Sequence, residues 1–341
     1  MTQTVLLTGV TGFIAKRIAA DLLNAGYAVR GSRRSAGRDD EVRSAVAPAL
    51  ADPAAIDRLS FVSLDLTSDA GWAEAMEGVD ALVHTASPFP MDQPRNEEEL
   101  IRPAVDGTLR ALRAAQAAGI TRVVLTSSIV AVMHKELRDG QVIGPDDWTD
   151  TDHPSCSAYA KSKTLAERAA WDFVAVHPEM RLSAINPGLV LGPPMDMHYG
   201  TSLAIVEQFL TGALPAIPNF GMAIIDIRDV SAAHVRALQV EEAAGRRFLL
   251  TDSYVMAPEM ARILREAFPE AKVPSRRAPD WLVKVMALFD GRMKTLKPIL
   301  GLHLQIDNSA TRRILGIDPI PAEEAIRAAG AAVMAKLKAA A

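Results

Sequence analysis

The chain has 341 residues, 49% hydrophobic and 23% charged, which suffices for a sizeable core and excludes wholesale disorder. Its net charge of −4 provides no broad basic field, so nucleic acid is not expected as a partner. The single cysteine, Cys156, excludes an intramolecular disulfide and a cysteine-rich metal site, and the seven histidines include no i, i+4 pair, so no metal is expected.

The first half alternates short apolar runs with longer Ala-rich stretches. Strands are predicted at 4–8, 28–34, 59–64, 81–86, 122–126 and 181–186. Between them the pattern predicts helices over 12–25, 41–50, 97–118 and 157–176, the first and third halted by Gly26 and Gly119. Such alternation calls for parallel pairing with crossovers, an α/β doubly wound Rossmann sheet. The rhythm is read as breaking at Asn186-Pro187-Gly188, after which Pro193, Pro194, Pro215 and Pro218 punctuate the chain without sustained alternation. Residues 248–251 look like a late strand returning to the sheet, and the Ala-rich end, 322–341, reads as a surface helix. The division expected is a dinucleotide-binding domain over 1–187, with segments near 225–252 returning to it, and a smaller, mostly helical substrate module over 188–341. No apolar run approaches about 18 uncharged residues, so no membrane span is expected. A strand pattern beginning at Thr4 leaves no room for a signal peptide, and a soluble cytoplasmic monomer or homodimer is expected.

Directly after the first strand stands Thr8-Gly9-Val10-Thr11-Gly12-Phe13-Ile14-Ala15. Gly9 permits a tight turn, Gly12 lets backbone approach a pyrophosphate, and the small Ala15 lets the helix pack on the strand. The helix N-terminus offers N–H groups to the phosphates. The second strand ends in Ser32-Arg33-Arg34, where arginine neutralises a 2′-phosphate and no acid stands ready for a ribose 2′-hydroxyl. Asp39 and Asp40 lie too far beyond the strand for that task. The cofactor expected is therefore NADP(H). Asp65-Leu66 follows the third strand, and Asp65 either meets the adenine amino group or caps its own turn. His84-Thr85-Ala86-Ser87-Pro88 closes the fourth strand at the ligand-binding edge, with His84 read as a packed strand histidine in preference to a base.

Tyr159 and Lys163 are four apart on one helical face, and Thr126-Ser127-Ser128 brings a hydroxyl to the same sheet edge. Reduction of a carbonyl by hydride needs a proton donor for the developing alkoxide. A phenol serves when a nearby ammonium stabilises its phenolate, and a serine hydroxyl orients the carbonyl oxygen.

These stretches together resemble an extended short-chain dehydrogenase/reductase, and the chain is most similar to the dihydroflavonol-4-reductase-like branch with its bacterial aldehyde and ketone reductases. The matching stretches also include Val29–Arg34, His84–Phe89, Asn186–Pro193 and Asp226–Val230. The resemblance implies Tyr159 as acid/base, Lys163 as ribose-binding and pKa-lowering residue, and Ser128 instead of Ser127 as the catalytic serine. It further implies Arg34 as 2′-phosphate ligand and Pro187 and Val190 as nicotinamide neighbours. Two departures stand out. Ala104 occupies the place where many relatives carry an asparagine that supports a water. Pro154-Ser155-Cys156-Ser157 replaces the Asn-Trp-rich motif of cinnamoyl-CoA reductases, which weighs against a CoA-thioester substrate. Cys156 has no part in this chemistry.

The function expected is NADPH-dependent reduction of a small or medium apolar aldehyde or ketone, because Leu189, Met195, Met197, Leu203 and Met222 make the segment after Pro187 apolar. One alternative is a sugar-nucleotide epimerase or dehydratase, which needs cations such as Arg276 and Arg277 for a diphosphate. A non-enzymatic NADP-sensing regulator is the other, and it would have no use for Tyr159 and Lys163.

Overall fold

The computed structural model describes residues 2–88, 96–289 and 291–339. Phe89, the end of one matching stretch, lies outside the described residues. The first half runs β1 (Thr4–Thr8), α1 (Phe13–Asn24), β2 (Ala28–Arg33), α2 (Asp39–Val46), β3 (Leu59–Ser63), α3 (Trp72–Met76), β4 (Ala81–His84), α4 (Glu98–Ala117) and β5 (Arg122–Thr126). Then come α5 (Val130–Met133), β6 (Val142–Ile143), α6 (Ala158–Ala175), β7 (Arg181–Pro187), β8 (Leu189–Leu191), α7 (Gly200–Thr211), β9 (Gly221–Asp226), α8 (Ile227–Gln239), β10 (Arg246–Leu250) and β11 (Ser253–Met256). The last elements are α9 (Ala257–Ala267), α10 (Asp280–Met286), α11 (Gly291–Leu296), β12 (Gln305–Ile306), α12 (Ser309–Leu315) and α13 (Ala322–Ala339).

Seven strands form one parallel sheet in the order β10-β7-β5-β4-β1-β2-β3. Both faces are covered, which explains the nearly unbroken apolar runs of the central strands. Side chains alternate across the pleat: Val5 and Leu7 of β1 join the core of α1 and α8, whereas Leu6 joins Ala111 and Leu112 of α4 and Ala170 of α6. The strand order reverses between β1 and β4. Ligands of such sheets bind at that reversal, beyond the carboxyl ends of the strands.

The return of the chain near residue 248 is real, since β10 pairs with β7 as the edge strand. The expected loss of alternation after Pro187 is corrected, because β8, α7, β9, α8 and β10 continue it. Prolines 193, 194, 215 and 218 fall in the connections, where a missing N–H breaks no ladder. Asp226 caps α8 by accepting from the Arg228 N–H at 2.8 Å. Strands β8, β9 and β11 form a second sheet beneath α7, α9 and α13. Gly188 makes the crossing into that sheet possible, since a Cβ there would stand 2.4 Å from the Ala223 carbonyl oxygen. The C-terminal helix is likewise not merely superficial: Ala325, Ile326, Ala329 and Val333 are buried in the second core. Small alanines let α13 seat closely while its charged residues face solvent.

Candidate active site

The dinucleotide turn is built from both strands at the reversal. Gly9 has φ +70°, and a Cβ on it would lie 3.1 Å from Ala86, so the bare backbone leaves the crevice floor open. Its N–H donates to Ser32 Oγ at 3.1 Å, and the Gly12 N–H donates to the Gly9 carbonyl at 2.9 Å. Helix α1 starts at Phe13 with no side-chain cap, which leaves its first N–H groups for an anion. Thr11, Phe13 and Ile14 are half-buried around this turn, and Ala15 is buried beneath it.

Thr8 Oγ1 accepts from the N–H groups of Thr85 and Ala86 at 3.0 and 3.1 Å. Its own proton therefore goes to His84 Nδ1, 2.9 Å away. This lock ends β4 at His84, two residues before the predicted end, and turns Thr85, Ala86 and Ser87 along the crevice. Burial, with Lys163 nearby, pushes the His84 imidazole down to about 3. His84 is thus a packed strand histidine, neutral near pH 7.

The two arginines at the end of β2 have different fates. Arg33 pairs with Asp39 and donates to Ser63 Oγ at 2.8 Å, so its charge is spent within the fold. Arg34 is exposed and forms no ion pair among the described residues. Asp65 accepts from the Thr67 N–H at 2.7 Å and the Thr67 hydroxyl at 2.6 Å, bonds that hold its carboxyl below the usual range. One of its oxygens is therefore committed to the turn, the capping alternative. The Leu66 carbonyl accepts from Arg110, which braces the same loop.

Beyond β5 the two serines diverge. Ser127 Oγ donates to the buried Glu167 carboxylate at 2.5 Å. Ser128 Oγ accepts from the Val130 N–H at 3.4 Å and is hydrogen-bonded to the Tyr159 phenol. Ser157 starts α6 by accepting from the Ala160 N–H at 3.2 Å, which sets Tyr159 in its first turn. One turn on, buried Lys163 donates to the Thr126 carbonyl at 3.1 Å. Burial pushes the Tyr159 phenol up to about 12 against the pull of the Ser128 hydrogen bond. Burial pushes the Lys163 ammonium down to about 8, and the Glu167 charge opposes this. The expected depression of the phenol by Lys163 does not figure in the protein alone: burial of the phenolate sets the value, and the Ser128 hydrogen bond is what opposes it.

Pro187 is buried at the end of β7 and its carbonyl accepts from the Ile129 N–H at 2.9 Å. Val190 is 4% exposed and belongs to the core shared by α1 and α8. Ala104 is buried in α4 with no polar atom on its side chain to hold a water. Half-buried Cys156 has its thiol pushed up to about 11 by burial, which keeps it protonated and unreactive. Arg276 and Arg277 are exposed, the solvated pair. Among the apolar residues after Pro187, Leu203 is core and Met197 is exposed, while Leu189, Met195 and Met222 are half-buried.

Two features escaped the sequence reading. Glu167 stands one turn beyond Lys163, a spacing that could have flagged it. Lys16, 1% exposed, bridges Glu41 at 2.7 Å and Asp196, and so ties α1 and α2 to the loop after β8. Nothing local in the sequence announces that pair. Glu41, Asp196 and His198 converge closely enough for a metal, but Lys16, which pairs with both carboxylates, and Arg38, which pairs with Glu41, already match their two negative charges.

The chain is similar in sequence and in fold to several reductases. Cinnamoyl-CoA reductase 1 of Arabidopsis thaliana is 36% identical over 277 residues, covering 80% of this chain and 77% of its own. Ketoreductase azaE of Aspergillus niger is 32% identical over 341 residues, 93% of each chain. The crystal structure of yeast methylglyoxal/isovaleraldehyde reductase Gre2 complexed with NADPH matches with a TM-score of 0.80 and 26% identity, over 98% of this chain and 99% of that one. Residues 5–250 match the NAD dependent epimerase/dehydratase family, and with these relatives the chain belongs to that family, as an extended short-chain dehydrogenase/reductase of the dihydroflavonol-4-reductase-like branch.

Proposed function

We propose that the chain is an NADPH-dependent reductase of small or medium apolar aldehydes and ketones, with Tyr159 as proton donor. The observation that carries this reading is the Ser128–Tyr159 hydrogen bond, with Lys163 one turn behind it, at the carboxyl edge of the sheet. The residues present fit a dinucleotide: Gly9 leaves a cradle that a Cβ would narrow, α1 offers uncapped N–H groups, and exposed Arg34 lies near enough to Asp65 to feel its charge. Gly9, Thr11, Gly12, Phe13 and Ile14 would hold the pyrophosphate, Arg34 the 2′-phosphate and Lys163 the nicotinamide ribose. Thr85, Ala86, Ser87, Pro187 and Val190 would border the nicotinamide side, with Asp65 and Leu66 near the adenine. The bound dinucleotide supplies the hydride. Ser128 donates to the carbonyl oxygen and holds it against the phenol, and Tyr159 delivers the proton as negative charge develops there. Lys163 supplies the compensating charge. Substrate would meet the residues after Pro187, so we assign 188–341 mainly to the substrate module and 1–187, with segments near 225–252 returning to it, to the dinucleotide-binding domain.

The NADPH-bound yeast reductase and the cinnamoyl-CoA reductases support reduction of a carbonyl, and half-buried Leu189, Met195 and Met222 support an apolar one. The test is NADPH oxidation over a panel of aldehydes, ketones and flavanonols, in which cofactor is consumed one for one with product. Purified protein that retains NAD and isomerises a nucleotide sugar without net turnover would overturn the reading.

Replacing Arg34 by Ala should weaken NADPH about ten- to a hundredfold and leave NADH nearly untouched, the scale of one charge-assisted phosphate contact. Arg33→Ala should act differently, because Arg33 already serves Asp39 and Ser63: stability falls and both cofactors lose equally. Dissociation constants from nucleotide fluorescence check this, and equal losses for both cofactors in Arg34→Ala would remove its assigned role.

A further inference from the structure

We infer that Glu167 is a positioning residue of the reaction, holding Ser127 and Asn186 from beneath while standing one helical turn behind Lys163; the inference rests on the reductase reading above. Tyr159, Lys163 and Glu167 recur at every fourth residue of α6 and therefore share a face. Glu167 is buried, and its two oxygens are filled. One accepts from Arg247 Nε at 2.6 Å and Trp171 Nε1 at 3.2 Å. The other accepts from Ser127 Oγ at 2.5 Å and Asn186 Nδ2 at 2.7 Å.

Three consequences follow from that geometry. Ser127 is drawn inward, and its neighbour Ser128 is left to face Tyr159. Asn186 donates also to the Ser128 carbonyl at 3.1 Å, so the backbone that carries the reactive hydroxyl is tied to the same carboxylate. Finally, a fixed negative charge stands behind Lys163 and favours its ammonium form, which burial alone disfavours.

Among the described residues, the other groups around Lys163 offer no substitute. His84 from β4 is neutral, β5 presents the Thr126 carbonyl, and the buried residues of α4 include no charged group. Helix α5 has no ionisable residue, and Tyr159 is protonated at neutral pH. Arg247 from β10 is engaged by Glu167, by the carbonyls of Pro145 and Asp147, and by the Trp148 ring at 3.8 Å. Stability alone does not account for such a pair, since well-packed apolar residues often replace a buried ion pair without loss.

The test compares wild type, Glu167→Gln, and the double variant Glu167→Gln with Arg247→Met, which leaves no unpaired buried charge. Three quantities are measured: melting temperature, the pH dependence of NADPH affinity by fluorescence, and the pH dependence of kcat for carbonyl reduction. Glu167→Gln should lower kcat about tenfold with little change in the carbonyl KM. Its alkaline limbs in kcat and NADPH affinity should both move about one pH unit toward neutrality, because Lys163 loses its proton earlier. The double variant should regain melting temperature and keep the displaced limbs. Limbs that stay at the wild-type pH in both variants, or that return with melting temperature in the double variant, overturn the inference and leave the reductase reading intact. Displaced NADPH-binding limbs in a protein that reduces no carbonyl would support Glu167's hold on Lys163 and overturn the reductase reading instead.

Discussion

Tyr159→Phe should bind NADPH nearly as wild type does and lose at least ~10²-fold in turnover, the usual scale for general acid catalysis. The substitution removes one oxygen and keeps the ring, so the packing of α6 survives. What disappears is the proton and the hydrogen bond with Ser128. With the phenol pushed up to about 12, the donor is in its acid form throughout the neutral range. The sign for the two directions follows: carbonyl reduction holds steady through neutral pH, whereas alcohol oxidation, which needs the phenolate, climbs as pH rises. Ser128→Ala should also cost turnover with little effect on cofactor affinity, and Ser127→Ala should be milder. Single-turnover measurements in a chemistry-limited step decide the matter. Retention of more than about a tenth of wild-type turnover in Tyr159→Phe would mean that Tyr159 is not the acid.

Lys163→Met should lose both functions together, with turnover down at least ~10²-fold and NADPH bound at least about tenfold more weakly. Methionine has nearly the same length and is apolar, so it fills the buried site that the lysine stem occupies. A depressed ammonium carries a stability signature of its own. The folded value near 8 lies below the ordinary 10.5, so between those limits the unfolded chain binds more protons. Wild-type stability therefore gains as pH climbs from about 8 to 10.5 through this group, and below 8 the buried charge is a burden. At pH 7 the methionine variant should melt no lower than wild type while its activity collapses. Calorimetry beside the kinetics separates this from scaffolding: a large drop in melting temperature with catalysis falling in proportion would make Lys163 a structural residue.

Much of this was readable without coordinates, for physical reasons that differ from element to element. The predicted strands match β1 and β5 residue for residue, because a parallel strand covered on both faces must be an unbroken apolar run. Glycines past α1 and α4 marked those helix ends, and Gly9 and Gly12 marked the turn, because each needs a conformation or an approach that a side chain obstructs. The Tyr159–Lys163 spacing is a property of the helix alone. The alternation after Pro187 was hidden by prolines that sit only in connections, and by strands as short as β8, too brief to show a period.

The sequence by itself determined the parallel sheet, the dinucleotide turn and the candidate residues for the chemistry, since each depends on interactions within a few residues or on one repeated period. Only the tertiary structure decided among equivalent neighbours. Arg33 and Arg34 look alike in the chain, yet Asp39 claims the first and leaves the second exposed. Ser127 and Ser128 look alike too, until Glu167, 40 residues onward, takes one and Tyr159 meets the other. His84 became a neutral packing group because the fold buries its ring, which Thr8, 76 residues earlier, holds in place. Each of these choices turns on which partner is buried within hydrogen-bond reach, and that distance exists only once the chain has folded.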